Sequence, residues 1–523
     1  MVFTIRERDL AGRIGQLTTK SGKLETPALL PVINPSKLVV APSEMAKMGF
    51  QAVITNAYIL WKNYGEAIEK GATVHEILNF DGIVMTDSGA YQILRFKRID
   101  FTPDLAIKVQ EKLSSDIAVI LDIPTPTHAS REEAEYSVEE TIKRAKESEE
   151  LRTKEGILWV GPVQGARYAD LVEKSAKAIS KMRFDLYAIG SPTTAMERYE
   201  YEVLVDMIVT AKKHIPHTRP LHLFGAGHPT VMPIAVALGC DLFDSASYAL
   251  FARDDRYMTP YGTRRLDSLD YLPCNCPVCS SKTAEELREM PKEEREKLLA
   301  KHNLYVLAEE IKKIKQAIKE GTLWEYVRMK CYAHPGALSA FKKMLKYKDY
   351  LEQEHPQTKA AYKGLFFMGK EDFHRPVVYR HHKKLLEEVS RSVKEKVVLV
   401  PEPDDKPYSR SRLVKKVLKL LGRRSSGLSL LVYCFPYVAV PLELDETYPF
   451  SQYEKADLGH EANDSILELL TSFLRSSEAK EVYVVKSSKW SEAFYEKLVV
   501  DLPSKRVAVV DLLELAELAN HLG

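Results

Sequence analysis

Eight short apolar runs recur along the first half of the chain, and this recurrence is the feature that most limits its possible folds. The runs are β-branched or aliphatic, as are strands buried on both faces of a sheet. Segments with helical spacing lie between them, for example 103–116 and 131–150. The runs occupy residues 27–34, 51–58, 82–89, 116–124, 157–165, 186–192, 221–227 and 241–247. Eight strand–helix repeats predict an α/β protein with a (β/α)8 TIM barrel.

Polar residues follow several of these predicted strands, at the ends where a TIM barrel carries its chemistry. These residues are Asp87, Asp122, Gln164, Gly190 and Asp244. A polar residue after a strand can simply cap the next helix, and one or two of the five fit that role. Several carboxylates and an amide that meet on one rim favour an active site instead.

Length and charge set broader limits. A chain of 523 residues predicts two or three domains. The 75 basic and 73 acidic residues leave a formal charge of +2, so any polyanion would have to be bound by local patches. The N-terminus carries no apolar segment typical of a secretory signal, and Pro436 and Pro441 interrupt the longest charge-free run, 425–442. We therefore expect a soluble cytoplasmic protein that makes no contact with a membrane.

Changes in composition predict the domain boundaries. The barrel domain is expected at 1–345, with an insertion at about 248–302 after the eighth strand and an eighth helix at 303–327. Residues 346–396 are polar and predict a linking helical module. Helices then alternate with strands again, which predicts a smaller α/β accessory domain at 397–523.

Three cysteines within six positions predict a metal site. Cys274, Cys276 and Cys279 can turn toward one ion, and His302 can complete a tetrahedron. Three thiolates and one imidazole select Zn²⁺ over Mg²⁺ or Ca²⁺, and four protein ligands leave no open position. We therefore predict one structural zinc per chain. The other cysteines stand singly in apolar surroundings and are expected to be inert core thiols in a reducing compartment.

Asp87 and Asp244 suggest a chemistry that uses paired carboxylates. Facing each other across a glycosidic bond, one carboxylate can attack the anomeric carbon while the other handles the protons of the departing and incoming groups. Their spacing alone does not say which one is the nucleophile. It equally allows a metal site or an aldolase-like barrel.

Several motifs together resemble the tRNA-guanine transglycosylases. They are MTDSGAYQ (85–92), PVQGARY (162–168), LFDSASYALFARDDRY (242–257) and the CNCPVC segment with its later HNLYV. LDIPTP, FGAGHP and VAVPLELDETYPFSQ narrow the resemblance to the archaeal type, over essentially the whole chain. The resemblance implies that guanine at position 15, in the D-arm of tRNA, is replaced by 7-cyano-7-deazaguanine, the precursor of archaeosine. The phosphate chain is not cleaved in this exchange.

The same resemblance implies a role for each site residue. Asp244 matches the nucleophile that binds ribose C1′, and Asp87 matches the general acid/base. The matches to base-binding residues are Asp122, Gln164, Gly190, Ser88 and the stacking aromatic Tyr91. The four cysteine and histidine positions match structural zinc ligands, and family members are commonly homodimers.

The residue types suit a purine ligand. A carboxylate such as Asp122 can accept the N1–H and N2–H donors of guanine together. The Gln164 amide and the Gly190 backbone N–H can donate to O6 and N7, and Tyr91 offers a face for stacking. To reach such a pocket the target nucleotide must leave its helix, so the bound tRNA should be distorted.

Two basic patches are candidates for tRNA binding. Archaeal members often end in an RNA-binding PUA domain, and no segment of this sequence matches one, which leaves open a separate PUA protein. On a helix, one basic face opposes Leu413, Val417 and Leu420, and it consists of Arg412, Lys415, Lys416, Lys419 and Arg423. Arg253, Arg256, Arg264 and Arg265 form the second patch. Either patch could instead be an ordinary solvated face.

Two other functions are compatible with parts of this pattern. One is an archaeosine synthase-like paralogue that modifies the base after insertion, and the other is a non-catalytic tRNA-binding subunit. Because both Asp87 and Asp244 are retained, base exchange is favoured over either alternative.

Overall fold

The computed structural model describes residues 2–90, 101–359, 363–458 and 462–519. Tyr91, the predicted stacking residue, lies outside these ranges. The chain divides into two compact units, the first comprising Met1–Tyr347 and Glu354–Thr358, the second Lys348–Gln353 and Lys359–Gly523. No helix among the described residues is long and apolar enough to cross a membrane.

The first unit contains the predicted barrel. Strands β1 (Phe3–Asp9), β2 (Gly12–Thr18) and β3 (Lys23–Thr26) first form an antiparallel sheet. The barrel strands follow in chain order as β4 (Ala28–Pro31), β5 (Ala52–Asn56), β6 (Ile83–Asp87), β7 (Ile117–Val119), β8 (Leu158–Val163), β9 (Leu186–Ile189), β10 (Leu221–Leu223) and β11 (Leu242–Ser245). They pair in the order β4-β11-β10-β9-β8-β7-β6-β5, and a parallel bridge from Val32 to Ile54 joins the two ends. Every strand lies within a predicted run, so the eight-stranded barrel is confirmed.

Helices follow the barrel strands. Their bounds are Pro42–Met48, Ala57–Glu69, Val74–Leu78, Pro103–Lys112, Arg131–Leu151, Ala169–Ile179, Thr193–Glu197, Tyr201–Lys212, Met232–Ala237 and Ser247–Arg253. The longest of these begins at a capping box, in which the Ser130 side chain accepts from Glu133 N–H and the Glu133 side chain accepts from Ser130 N–H. Its start is therefore fixed by the local sequence.

Inward-facing residues change from apolar to polar along the barrel strands. Side chains alternate between the two faces of a strand, so residues two apart face the same way. The apolar interior includes Ile54, Met85 and Leu242. Two residues further along the same strands stand Asn56, Asp87 and Asp244. The alternation that fills the core thus also aims the polar residues into the barrel mouth.

A cysteine-containing insertion follows β11. It begins with an antiparallel hairpin, β12 (Arg256–Thr259) and β13 (Gly262–Arg265), and a short 3₁₀ turn at Leu266–Ser268. The helices that follow in the first unit are Ala284–Glu289, Lys292–Glu320, Leu323–Cys331 and Pro335–Leu345. The next helix, Lys348–Glu354, belongs to the second unit except for its last residue. The single helix predicted at 303–327 is wrong. Gly321, with φ of 76°, ends the long helix, and a second helix starts two residues later.

The second unit is a smaller α/β fold. Its described residues form seven strands: β14 (Leu365–Phe367), β15 (Lys396–Pro401), β16 (Ser429–Cys434), β17 (Val438–Pro441), β18 (Tyr453–Lys455), β19 (Glu481–Val485) and β20 (Arg506–Val510). The main sheet has the order β17-β16-β15-β19-β20, with β17 antiparallel to its neighbour, and β14 pairs with β18. Its α-helices are Pro376–Lys384, Ser390–Ser392, Arg412–Leu421, Asn463–Ser476, Glu492–Val500 and Leu512–Ala519, and Leu385–Val389 forms a π-turn. Short 3₁₀ turns lie at Lys370–His374, Tyr408–Arg410, Gly422–Gly427 and Leu442–Leu444.

Candidate active site

Asp87 lies at the end of β6 with one carboxylate oxygen anchored. Its Oδ2 accepts from Asn56 Nδ2 at 3.0 Å and from the Gly89 backbone N–H at 3.3 Å. Burial raises the pKa of Asp87 to about 7, and the negative charges of Asp122 and Asp244 act in the same direction. The three carboxylates are therefore close enough to interact. At neutral pH Asp87 can both give and accept a proton.

Asp122 and Gln164 form a buried pair at the ends of β7 and β8. Gln164 Nε2 donates to Asp122 Oδ2 at 2.6 Å, and the Gln164 backbone N–H donates to Ser175 Oγ at 3.1 Å. Burial raises the pKa of Asp122 to about 6, although the hydrogen bond from Gln164 and the charge of Arg144 oppose the shift. Above that pH the pair presents a carboxylate held in a fixed orientation.

Gly190 contributes space, not a hydrogen-bond donor. Its backbone N–H donates to Val163 O at 3.0 Å in the barrel, so the predicted donation from this N–H to a base is wrong. A Cβ at this position would lie 2.2 Å from Gln164 Nε2, well inside van der Waals contact. Glycine is therefore required for the Gln164 side chain to lie against the backbone.

Two buried polar atoms next to Asp87 and Asp122 have no hydrogen-bond partner among the described residues. They are Ser88 Oγ, next to Asp87, and Gln164 Oε1. Unpaired buried polar atoms are costly, and these two are therefore candidates for hydrogen bonds to a ligand in the barrel mouth. Gln164 Nε2 gives one of its two hydrogens to Asp122, and Oε1 is the atom of this amide that has no partner among the described residues.

Asp244 lies in β11, and one of its carboxylate oxygens accepts two hydrogen bonds. Its Oδ1 accepts from His222 Nε2 at 2.9 Å and from the Gly225 backbone N–H at 2.8 Å. Within the described ranges no donor reaches Oδ2. One oxygen is thus held by His222 of β10 and by Gly225 of the loop that follows it, and the other is available to a reactant in the barrel mouth.

The sequence interpretation missed two residues of this constellation, Asn56 and His222. Asn56 stands at the end of a predicted strand, in phase with the inward Ile54, and this position would have identified it. His222 interrupts an apolar strand run, and a single polar residue there is a weaker signal. Its register opposite Ala188 and Leu242 places it one layer below Asp244.

Cys274, Cys276, Cys279 and His302 come together as a candidate metal centre. Their ligand atoms all lie within 4.8 Å of one another, and His302 Nδ1 is 3.5 Å from Cys276 Sγ and 3.3 Å from Cys279 Sγ. Four atoms bound to one ion at about 2.0 to 2.3 Å in a tetrahedron stand roughly 3.5 Å apart. The four residues therefore fit a closed four-coordinate site.

Neighbouring residues orient the histidine of this centre. His302 Nε2 lies 2.8 Å from Met258 O, which fixes the proton on Nε2 and leaves Nδ1 available as a ligand. The Tyr257 ring stacks on the imidazole with centroids 3.7 Å apart. Because Met258 and Tyr257 belong to β12, the hairpin and the long helix meet at this site.

Comparisons with known proteins agree with this geometry. Residues 9–336 match the family model described as queuine tRNA-ribosyltransferase, and residues 378–510 match a domain of unknown function, DUF5591. A relative from Sulfolobus acidocaldarius is 45% identical over 455 residues, 86% of this chain and 88% of its own length. One from Saccharolobus solfataricus is 42% identical over 498 residues, 93% of this chain and 97% of its own. Both are named tRNA-guanine(15) transglycosylase.

Proposed function

Because the chain belongs to the queuine tRNA-ribosyltransferase family, we propose that it replaces guanine at position 15 of tRNA with 7-cyano-7-deazaguanine, in archaeosine biosynthesis. The observation that carries the proposal is the pair of carboxylates in the barrel mouth. Asp244 has one anchored and one open oxygen, and Asp87 has a pKa near 7. A nucleophile and a proton carrier are the two groups that a base exchange requires.

The reaction proceeds in two displacements at ribose C1′. Asp244 Oδ2 attacks C1′, the C–N bond to guanine breaks, and protonated Asp87 gives its proton to the departing base. The incoming 7-cyano-7-deazaguanine then loses its N9 proton to Asp87, and N9 attacks C1′ to release the Asp244 carboxylate. The phosphate chain is untouched, and both catalytic groups return to their starting states.

The base is recognised by the residues next to this pair. Ionised Asp122 accepts the N1–H and N2–H donors, a role that the fixed carboxylate suits. Gln164 Oε1 and Ser88 Oγ, which have no partner among the described residues, are further candidates for contacts with the base. Stacking by Tyr91 stays a prediction, since this residue lies outside the described ranges.

Nucleoside analysis of tRNA tests this proposal. The purified protein is incubated with unmodified tRNA and 7-cyano-7-deazaguanine, and the nucleosides are identified by mass spectrometry. We expect the 7-cyano-7-deazaguanosine nucleoside in wild-type tRNA and none in tRNA whose position 15 is adenine. Insertion into both tRNAs would contradict the assigned position. A product only from tRNA that already carries the deazaguanine would instead support an archaeosine synthase-like enzyme, and binding without any product would support a non-catalytic tRNA-binding subunit.

We also propose that the cysteine–histidine centre holds one structural zinc. Three thiolates and an imidazole are the soft donor set that zinc prefers, and four ligands leave no place for a substrate. Replacement of Cys276 by Ser should reduce zinc from one ion per chain to none. Loss of a bound metal should lower Tm by about 5 °C or more.

Elemental analysis and thermal melting measure these two effects. Cys331→Ala is the matched control, because Cys331 is buried outside the cluster and its variant should keep the zinc. A metal-free wild-type protein with normal Tm and exchange activity would contradict the structural zinc.

The basic helix Arg412–Leu421 offers one tRNA-binding surface. Its basic residues Arg412, Lys415, Lys416 and Lys419 are exposed, whereas Val414, Val417 and Leu421 are buried. The apolar face therefore differs from the predicted Leu413, Val417 and Leu420, since the helix is rotated slightly about its axis. Among the described residues, no carboxylate pairs with the three lysines, so their charge is available to phosphates.

Replacing Lys415, Lys416 and Lys419 by Ala should weaken tRNA binding. Each lost phosphate contact should reduce the slope of log affinity against log salt by about 0.7 to 0.9. The control replaces Lys480, Lys486 and Lys497, which already pair with carboxylates of the same unit. The measurement is a tRNA-binding titration of each variant at several salt concentrations. Identical slopes for the two triple variants would show that the helix face is only solvated.

The second candidate surface is an arginine cleft in the segment that follows β11. A cleft of about 500 Å³ is lined by Arg253, Arg256, Arg264 and Arg265, together with Asp254, Asp255 and Thr263. Asp255 is neutralised by Lys292 at 3.0 Å and Arg295 at 2.8 Å, which leaves the cleft positive. Its first residue, Arg253, ends the helix that follows β11, the strand that carries Asp244. A tRNA footprint confined to this cleft would place recognition on the barrel unit alone.

Three further expectations rest on the resemblance to the family. They are a homodimer, assistance from a separate PUA protein, and a cytoplasmic location. Sedimentation of the purified protein tests the first of them.

A further inference from the structure

We propose that His222 is a positioning residue for the base exchange, which acts by holding the Asp244 carboxylate in its attacking orientation. This inference rests on the proposed function, because it takes Asp244 as the nucleophile. His222 lies in β10, inside the barrel, and is 0% exposed. It cannot touch the substrate from one layer below the rim, so any effect on the reaction must pass through Asp244.

The hydrogen bond has a defined direction. Asp244 Oδ1 lies 2.9 Å from His222 Nε2, and an ionised carboxylate can only accept. Nε2 therefore carries a proton. The Gly225 N–H donates to the same oxygen at 2.8 Å, and two donors on one oxygen prevent the carboxylate from rotating about its Cβ–Cγ bond. Oδ2 is left pointing away from both donors.

The other imidazole nitrogen indicates that this residue is not there for stability. Nδ1 of His222 is buried and has no hydrogen-bond partner among the residues that the structure describes. A buried polar atom without a partner costs stability, and an apolar side chain of similar size would avoid that cost. The ring also packs against Phe224, with centroids 4.7 Å apart, a contact that an apolar residue could make equally well. The feature that an apolar residue cannot supply is the donor to Asp244.

A matched pair of amide variants tests the donor itself. The amide nitrogen of His222→Gln extends to nearly the place of Nε2, whereas that of His222→Asn falls short. We expect the Asn variant to lose about 100-fold in kcat, because a misplaced nucleophile costs about that much. The Gln variant should regain about tenfold or more, the effect of one hydrogen bond to a charged group. KM for tRNA should stay unchanged in both, because neither touches the substrate.

Three measurements complete the experiment: steady-state kcat and KM, the rate at which a covalent protein–tRNA adduct appears on denaturing gels, and Tm. The adduct should form more slowly in proportion to kcat. His222→Leu should be about as stable as the wild type and as slow as His222→Asn. Equal kcat values for the Gln and Asn variants, or wild-type kcat in His222→Leu, would overturn the proposal.

Asp244→Asn, assayed alongside, separates this proposal from the one on which it rests. If Asp244→Asn exchanges bases, the proposed mechanism itself fails. If that variant is inactive while His222→Leu is as fast as the wild type, only the positioning role fails. A slow His222→Leu with a strongly reduced Tm would support a packing role for His222, and would overturn the proposal if the Gln variant were equally slow.

Discussion

Asp244→Asn is expected to abolish base exchange while leaving tRNA affinity nearly unchanged. The variant side chain has the same shape, and its carbonyl oxygen can still accept from His222 and Gly225. The amide nitrogen then occupies the place of Oδ2, where it cannot attack C1′. Loss of a covalent nucleophile reduces kcat by about 10⁴-fold or more. We therefore expect no detectable exchange and no covalent adduct.

The measurement combines labelled-guanine exchange with a tRNA-binding titration. Asp81→Asn is the matched control, since it removes one negative charge from an exposed position before β6, at the end of that strand opposite to the barrel mouth, and should keep the exchange rate. Exchange near the wild-type rate by Asp244→Asn would exclude the ribosyl–aspartate intermediate. Loss of exchange together with loss of folding or of tRNA binding would show that the variant reports on structure and not on the nucleophile.

The features that sequence could predict are those with short-range signals. Each barrel strand is an apolar run of fixed length between helical segments, so the barrel follows from repetition. The candidate metal ligands Cys274, Cys276 and Cys279 lie within six positions, and a thiolate cluster needs only local geometry. Asp87 and Asp244 were found because strand ends in a parallel barrel share one rim. In each case a local sequence pattern and one rule of barrel topology were enough to make the prediction.

Features that depend on pairing between distant segments were missed. The Gly190 N–H donates to Val163 O in the neighbouring strand β8. Only the register of the two strands reveals this hydrogen bond. The Asp244 donors His222 and Gly225 come from β10 and the loop that follows it, some twenty residues away in the chain. The orientation of Gln164 depends on Asp122, which lies after a different strand. The sequence therefore predicted which residues converge but not which atoms remain open to a ligand.

Asp87→Asn is expected to slow base exchange by about 10² to 10⁴-fold, the usual contribution of a general acid/base. In the wild type, the charges of Asp122 and Asp244 and the burial of the carboxyl hold the pKa of Asp87 at about 7. Asp87 is therefore protonated below about pH 7 and can supply the proton to departing guanine. Above that pH it is ionised, and this first step should slow.

The acid side of the profile depends on Asp122. Because its pKa is raised to about 6, Asp122 is ionised and able to accept base donors only above that pH. The rate of guanine release should therefore rise through about pH 6, reach a maximum below about pH 7, and fall at higher pH. In Asp87→Asn the fall should disappear, since an amide does not titrate, while the rise should remain.

Asp81→Asn provides the matched control for this profile. Asp81 is exposed and precedes the same strand, at the end of β6 opposite to Asp87. Asp81→Asn should keep both the rising and the falling limb of the pH profile. A profile that changes shape only in Asp87→Asn therefore reports on the barrel-mouth carboxylate and not on the net charge of the protein. A pH profile of Asp87→Asn that retains the falling limb would assign that limb to another group. A leaving group that needs no protonation should rescue adduct formation in Asp87→Asn but not in Asp244→Asn, because in the proposed mechanism only Asp244 forms the bond to C1′.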